Sequence, residues 1–125
     1  MKVKTSELTG VALDWAVAKC ELMVGQDYTL AIDTDFDGTK RVNFGGMYPE
    51  WSTDWQEAGP IIEREKIDLN YFPDGSYENG GAWMATRTDG PAVSEEEGPT
   101  SLIAAMRCYV ASKFGDEMEV PDELA

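Results

Sequence analysis

Apolar residues recur at helical spacing in two long stretches of the chain and alternate with polar ones in five shorter stretches. Leu8, Val11, Trp15 and Leu22 share one helical face. Ala12, Ala16, Val17 and Cys20 widen that face until only a wedge of Asp14, Ala18 and Glu21 is left for water. The pattern predicts a mostly buried helix over about residues 6 to 23, capped by Thr5 or Ser6 and stopped at Gly25. The second helical stretch runs from Pro99 to Phe114, with Ile103, Met106, Val110 and Phe114 on one side and Gly115 as a left-handed cap.

Alternation predicts the strands. Tyr28, Leu30 and Ile32 alternate with Asp27, Thr29 and Ala31, and Val42 and Phe44 repeat the pattern after the loop Asp33 to Thr39, which reads as a hairpin. Ile67, Leu69 and Tyr71 lead to the turn Pro73-Asp74-Gly75-Ser76, after which Ala82 to Arg87 can pair back as a second hairpin. Met118 and Val120 predict a last short strand. Between the hairpins, Thr53 with Gln56 resembles a capping box, and Pro60 suits the first turn of a short helix through Arg64. Thr88 to Pro99, rich in Gly, Pro and Glu, predicts an exposed loop. Two main helices packed on one face of a small antiparallel sheet, built largely of hairpins, make this an α+β fold, expected as one domain over residues 1–125.

Composition narrows the functional classes. With 125 residues and 42% hydrophobic content the chain can build one modest core. Its start lacks the apolar stretch of an export signal, and its apolar runs fall far short of the roughly 20 residues that span a bilayer, so neither export nor a membrane partner is expected. The only two cysteines, Cys20 and Cys108, lie in helical patterns and suit a reduced compartment. Without histidine they cannot make a four-ligand zinc site. A formal charge of −14, from 24 acidic and 10 basic residues, repels phosphate backbones, so no direct nucleic-acid partner is expected. Such a charge keeps a protein soluble, and it also fits a partner with a basic face, including a nucleic-acid-binding enzyme whose groove it would occupy.

Three ordered blocks carry a family resemblance. They are Lys4-Thr5-Ser6-Glu7-Leu8 running to Asp14-Trp15-Ala16-Val17-Ala18, then Ser52-Thr53-Asp54-Trp55 with Gly59-Pro60-Ile61-Ile62-Glu63, and then Pro99 to Arg107 running through Gly115 to Pro121. Together they resemble the NinX-like proteins of tailed phages and prophages. The stretch from Gly25 to Glu50 lies outside the resemblance. It implies expression in an infected cell, hence the cytoplasm of the bacterial host, and an accessory role. It supplies no catalytic residues.

Few constellations carry chemistry. Asp33-Thr34-Asp35-Phe36-Asp37-Gly38 copies the first half of a calcium loop, but the closing position holds Phe44 where a bidentate Glu belongs. Asp33, Asp35 and Asp37 are therefore a weak candidate metal loop, and acidic side chains on a hairpin explain them. The lack of histidine removes the commonest general base, and no carboxylate pair has a spacing that singles it out. No dinucleotide or phosphate-loop motif occurs, and Gly80-Gly81 reads as a turn.

Trp51 and Trp55, four apart around Ser52-Thr53-Asp54, either form an aromatic platform with Asp54 on its polar rim or pack the loop onto the core. Trp15 is expected in the buried stripe and Trp83 in a strand. Arg107 sits in an apolar arc with no carboxylate three or four residues away, so its partner is either a distant carboxylate, with Glu63 and Asp68 as candidates, or a ligand. The first reading is a phage accessory protein that binds a host or phage protein through its acidic surface, without catalysis and without a cofactor. The second is a small-ligand or metal-dependent activity at a pocket using Trp51, Trp55 and Arg107 or the Asp-rich loop.

Overall fold

A computed structural model describes residues 1–74, 82–88 and 93–125. Its helices are α1 (Gly10–Met23), α2 (Trp55–Glu65) and α3 (Ser101–Phe114), and its strands are β1 (Lys2–Lys4), β2 (Leu30–Thr34), β3 (Lys40–Phe44), β4 (Ile67–Phe72), β5 (Ala82–Arg87), β6 (Ser94–Gly98) and β7 (Glu117–Glu119). The fold is α+β, and the strands divide among three antiparallel sheets, β1-β7, β2-β3 and β4-β5-β6.

Both predicted hairpins form. Ile32 faces Val42 in the first, and Leu69 faces Ala85 in the second. The turn at Gly75-Ser76, the Gly80-Gly81 pair and the Gly90-Pro91 part of the expected loop lie outside the described residues.

β6 corrects the sequence reading, because the segment Ser94-Glu95-Glu96-Glu97-Gly98 is a strand where a loop was expected. Tertiary pairing overrides the poor β-propensity of three consecutive glutamates. β6 pairs with β5 from Trp83↔Gly98 to Arg87↔Ser94 and is the strand on which α3 packs most extensively. Gly98 permits that approach, since a Cβ there would lie 2.5 Å from the backbone nitrogen of Ala104.

α3 is the centre of the molecule. Every residue from Ala104 to Val110 is buried, and the helix packs on the β4-β5-β6 sheet as well as on α1 and α2. Thr100 caps it through its hydroxyl, which accepts from the Ile103 N–H at 3.1 Å. Gly115 ends it at φ +83° and ψ −151°, a backbone suited to glycine but extended, where a left-handed helical cap was expected. The chain then forms β7, as expected, and pairs it with β1, a strand the alternation did not reveal.

α1 begins later than its pattern suggests. Thr5–Glu7 is a separate 3₁₀ turn, and the helix starts at Gly10. Thr5 cannot cap α1 because its hydroxyl donates to the Gly115 carbonyl at 2.7 Å and its N–H bonds to the Asp116 carbonyl at 2.8 Å, which ties it to the end of α3.

The faces of α1 are also redistributed. Asp14, Ala18 and Glu21, expected to face water, are buried, whereas Val11, Trp15 and Leu22 are half-buried. α1 packs on both α3 and β3, and its polar wedge is covered by groups that bond to it. In α2, Asp54 is the cap in place of Thr53, accepting from the Gln56 N–H at 2.9 Å, and Pro60 falls inside the helix.

Candidate functional site

The residues singled out from sequence do not assemble into one site. Trp51 is buried, 5% exposed, with its ring edge-to-face on Phe44 at 5.8 Å. Trp55, at the start of α2, is 54% exposed, and Asp54 is engaged as the helix cap. Trp51 lines a cavity of about 270 Å³ whose other walls include Tyr28, Phe44, Pro60, Glu21 and Arg64, while Trp55 and Arg107 are not among its lining residues.

Arg107, 6% exposed, is a stitch between segments. Its Nε donates to the Leu8 carbonyl at 2.8 Å and an Nη to the Glu97 carbonyl at 2.9 Å, so one guanidinium holds the segment before α1 and strand β6 onto α3. Glu63 and Asp68, the carboxylates considered from sequence, are both exposed.

In the Asp-rich loop the three carboxylates turn to separate partners. Asp33 accepts from the Tyr48 hydroxyl at 2.6 Å and from the Asn43 amide at 3.0 Å, which hold its carboxyl below the usual range. Asp35 pairs with Arg41 at 2.8 Å, and Asp37 accepts from the Thr39 N–H at 2.9 Å, which likewise lowers it. Among the described residues no group of three or more acidic or thiol side chains is placed to hold a metal ion. Burial pushes up the thiols of Cys20 and Cys108, away from the reactive thiolate form.

Sequence reasoning missed two buried polar arrangements on α1. In the first, Arg64 of α2 reaches Glu21 at 3.0 Å, Glu65 at 2.9 Å and the Tyr109 hydroxyl at 3.0 Å, and Glu65 also lies 3.2 Å from Arg87 and 3.8 Å from Lys113. Burial opposes the Arg64 charge, but the hydrogen bonds it donates to Glu65 and Glu21 outweigh it and hold the guanidinium firmly protonated. Burial, reinforced by the Glu21 charge, raises the Tyr109 phenol.

In the second, Asp14 is 6% exposed and accepts from the Ser52 N–H at 2.8 Å. Burial raises its carboxyl from 3.8 to about 6 against the pull of the Ser52 hydrogen bonds, and the charge of Glu50 adds to the rise. The sequence signal for both was present, as two carboxylates within an apolar helical stretch.

The acidic residues of the surface do converge. Glu95 and Glu96 of β6 line a recess of about 470 Å³ together with Asp116 just before β7, Glu117 of β7 and Lys4 of β1. Four carboxylates thus share one concavity with one ammonium, joining two acidic clusters about twenty residues apart in sequence.

Fold and surface together define a small acidic α+β protein in which buried polar side chains stitch segments together and Glu95, Glu96, Asp116 and Glu117 share one recess. The family model described as Bacteriophage P22, NinX matches residues 4–113, and the chain belongs to that family of bacteriophage proteins. Among curated proteins no match is found. No helix of the described residues is long and apolar enough to cross a membrane.

Proposed function

We propose that this phage accessory protein works in the cytoplasm of the bacterial host by binding a basic face of a host or phage protein, without catalysing a reaction. The observation that carries the reading is the recess formed by Glu95, Glu96, Asp116 and Glu117, four carboxylates whose charge is offset in part by Lys4 in the lining, by Lys2, 3.9 Å from Glu117, and by Arg107 near Glu96. Such a surface steers toward clustered Lys and Arg and away from phosphates, so an effect on nucleic-acid chemistry would come from occupying a protein, not from touching DNA. The second reading, a small-ligand site, draws on the cavity beside Trp51, with its aromatic wall and Arg64 in the place envisaged for Arg107.

Affinity capture from infected and uninfected lysate tests the first reading. A variant neutralised at Glu95, Glu96, Asp116 and Glu117 should lose the partner. So should the parent protein on going from about 0.1 M to about 1 M salt, where the screening length falls from roughly 10 to 3 Å. The same partner retained by the variant at both salts sinks the reading, as does a direct mobility shift of duplex DNA.

A further inference from the structure

Asp14 lies at the wall of a second cavity, of about 270 Å³, bounded by α1, β3 and the loop that follows β3. That is at the small end for ligand pockets, which run from roughly 300 Å³ upward. Val11, Val42 and Pro49 give it apolar walls, and its charged members are Asp14, Glu50, Lys40 and Arg41.

The two cations are already compensated by carboxylates outside the lining. Lys40 bonds to the Thr34 hydroxyl at 2.8 Å and lies 3.5 Å from Glu123, while Arg41 pairs with Asp35 at 2.8 Å and stacks 4.5 Å from the centre of the Tyr48 ring. The two carboxylates are not so compensated. Glu50 makes a long bond of 3.5 Å with the Thr53 hydroxyl, and Asp14 is served only by Ser52 among the described residues. A nearly buried carboxylate without a counter-charge is an expensive feature to keep in a folded chain.

We propose that this cavity binds an alkylammonium group, with the ammonium on Asp14 and its alkyl stem along Val11, Val42 and Pro49. Asp14 already accepts from the Ser52 N–H at 2.8 Å and from the Ser52 side chain, which leaves single-point acceptance rather than the two-oxygen fork that a guanidinium prefers. A hard divalent cation would want more oxygens than Asp14 and Glu50 provide. The apolar wall suits a stem that a bare inorganic ion lacks. The groups facing Asp14 across the cavity are Glu50 and Tyr48 from the loop and Lys40 and Arg41 from β3, and the lining part of α1 adds no other charge. Because the raised Asp14 carboxyl takes up a proton near pH 6, proton and ammonium compete for it. The proposal is independent of the acidic recess.

Amide NMR of the full chain, titrated in phosphate buffer with n-pentylammonium and with n-pentanol as its neutral counterpart, tests it. Saturable shifts of the Val11 and Ser52 amides are expected with the ammonium, at least tenfold weaker with the alcohol. Affinity should fall about tenfold between pH 7.5 and pH 5, where about one Asp14 in ten stays ionised. Asp14→Asn should abolish binding, whereas the variant neutralised at the recess should keep it. Equal binding of the alcohol, affinity independent of pH, or shifts confined to β6 and β7 each overturn the proposal. The alcohol comparison needs no variant to fold. Comparing n-pentylammonium with Nα-acetyl-lysine amide then separates the sources. Binding of both supports a protein lysine, and binding of the free amine alone supports a small amine, each through the same ammonium contact.

Discussion

Replacing Asp14 by Asn should stabilise the free protein at pH 8 and do so less and less as the pH falls. The folded-state carboxyl lies at about 6 against 3.8 for an unperturbed one, so between those values the folded chain holds the proton more tightly than the unfolded chain. The resulting stability is fully present below about pH 3.8 and is lost as pH rises through about 6. At about 1.4 kcal/mol per pH unit the loss comes to about 3 kcal/mol, because the unfolded chain ionises Asp14 in water while the folded one must ionise it in the core.

Asn removes the charge and keeps a carbonyl oxygen for the Ser52 N–H, which Asp14 now binds at 2.8 Å. The pull of the Ser52 hydrogen bonds on the carboxylate is already contained in the net shift, so the variant should gain about 3 kcal/mol at pH 8. That corresponds to a rise in Tm of roughly 9 to 15 °C for a chain of this size. Urea unfolding of both proteins in phosphate at pH 4, 6 and 8 measures the difference. Titration of the other carboxylates cancels between parent and variant. A variant less stable than the parent at pH 8, or a gap that is the same at pH 4 and pH 8, would refute the reasoning.

Arg107→Ala releases the Leu8 and Glu97 carbonyls and should cost about 3 to 5 kcal/mol in urea unfolding, and a loss below about 0.5 kcal/mol would place Arg107 among ordinary surface residues. Glu65→Ala leaves Arg64, Arg87 and Lys113 facing one another without their shared carboxylate and should cost about 3 kcal/mol, with Glu65→Gln milder; equal losses for the two would assign the effect to shape instead of charge. Gly98→Ala sets a methyl against the α3 backbone and should cost about 1 to 3 kcal/mol, which thermal unfolding would detect; an unchanged Tm would mean that β6 can draw back from the helix.

The hairpins were legible because each has one buried or half-buried face, which fixes alternation and register together. Val42 and Phe44 are inside while Arg41 and Asn43 are partly exposed. β6 was not legible, since pairing to β5 and packing under α3 make it a strand and neither is local to Ser94–Gly98. The two long helices were legible as helices but not in their orientation. α3 is buried along most of its length, so a wheel cannot tell which neighbour each residue meets. For Arg107 the helical pattern points to a distant carboxylate or a ligand, and no spacing reveals that its guanidinium reaches the backbone carbonyls of Leu8 and Glu97. Assigning Asp14 and Glu21 to water failed for a related reason. Their partners, Ser52 and Arg64, lie 38 and 43 residues further along the chain.

These misplaced polar residues bear on how the fold is specified at all. Among the described residues its strands fall into sheets of two, two and three, none of which is joined to another by a ladder. Hydrogen bonds within the sheets therefore cannot set their relative positions, and apolar packing alone is tolerant of sliding. The buried polar bonds supply what the ladders do not. Arg107 ties β6 and the segment before α1 to α3, Thr5 ties the end of β1 to the end of α3, Asp14 ties the loop after β3 to α1, and Glu21 with Arg64 and Tyr109 ties α2 to α1 and α3. Each bond accepts one alignment and leaves a buried group unsatisfied in any other, so misregistered assemblies are penalised more than the native one is favoured. Of the two carboxylates of α1 that make these bonds, Glu21 faces Arg64 whereas Asp14 has no opposite charge bonded to it among the described residues, and Asp14 lines a cavity bounded by the hairpin strand β3. The seam least compensated within the chain is thus the one where an outside cation has most to gain.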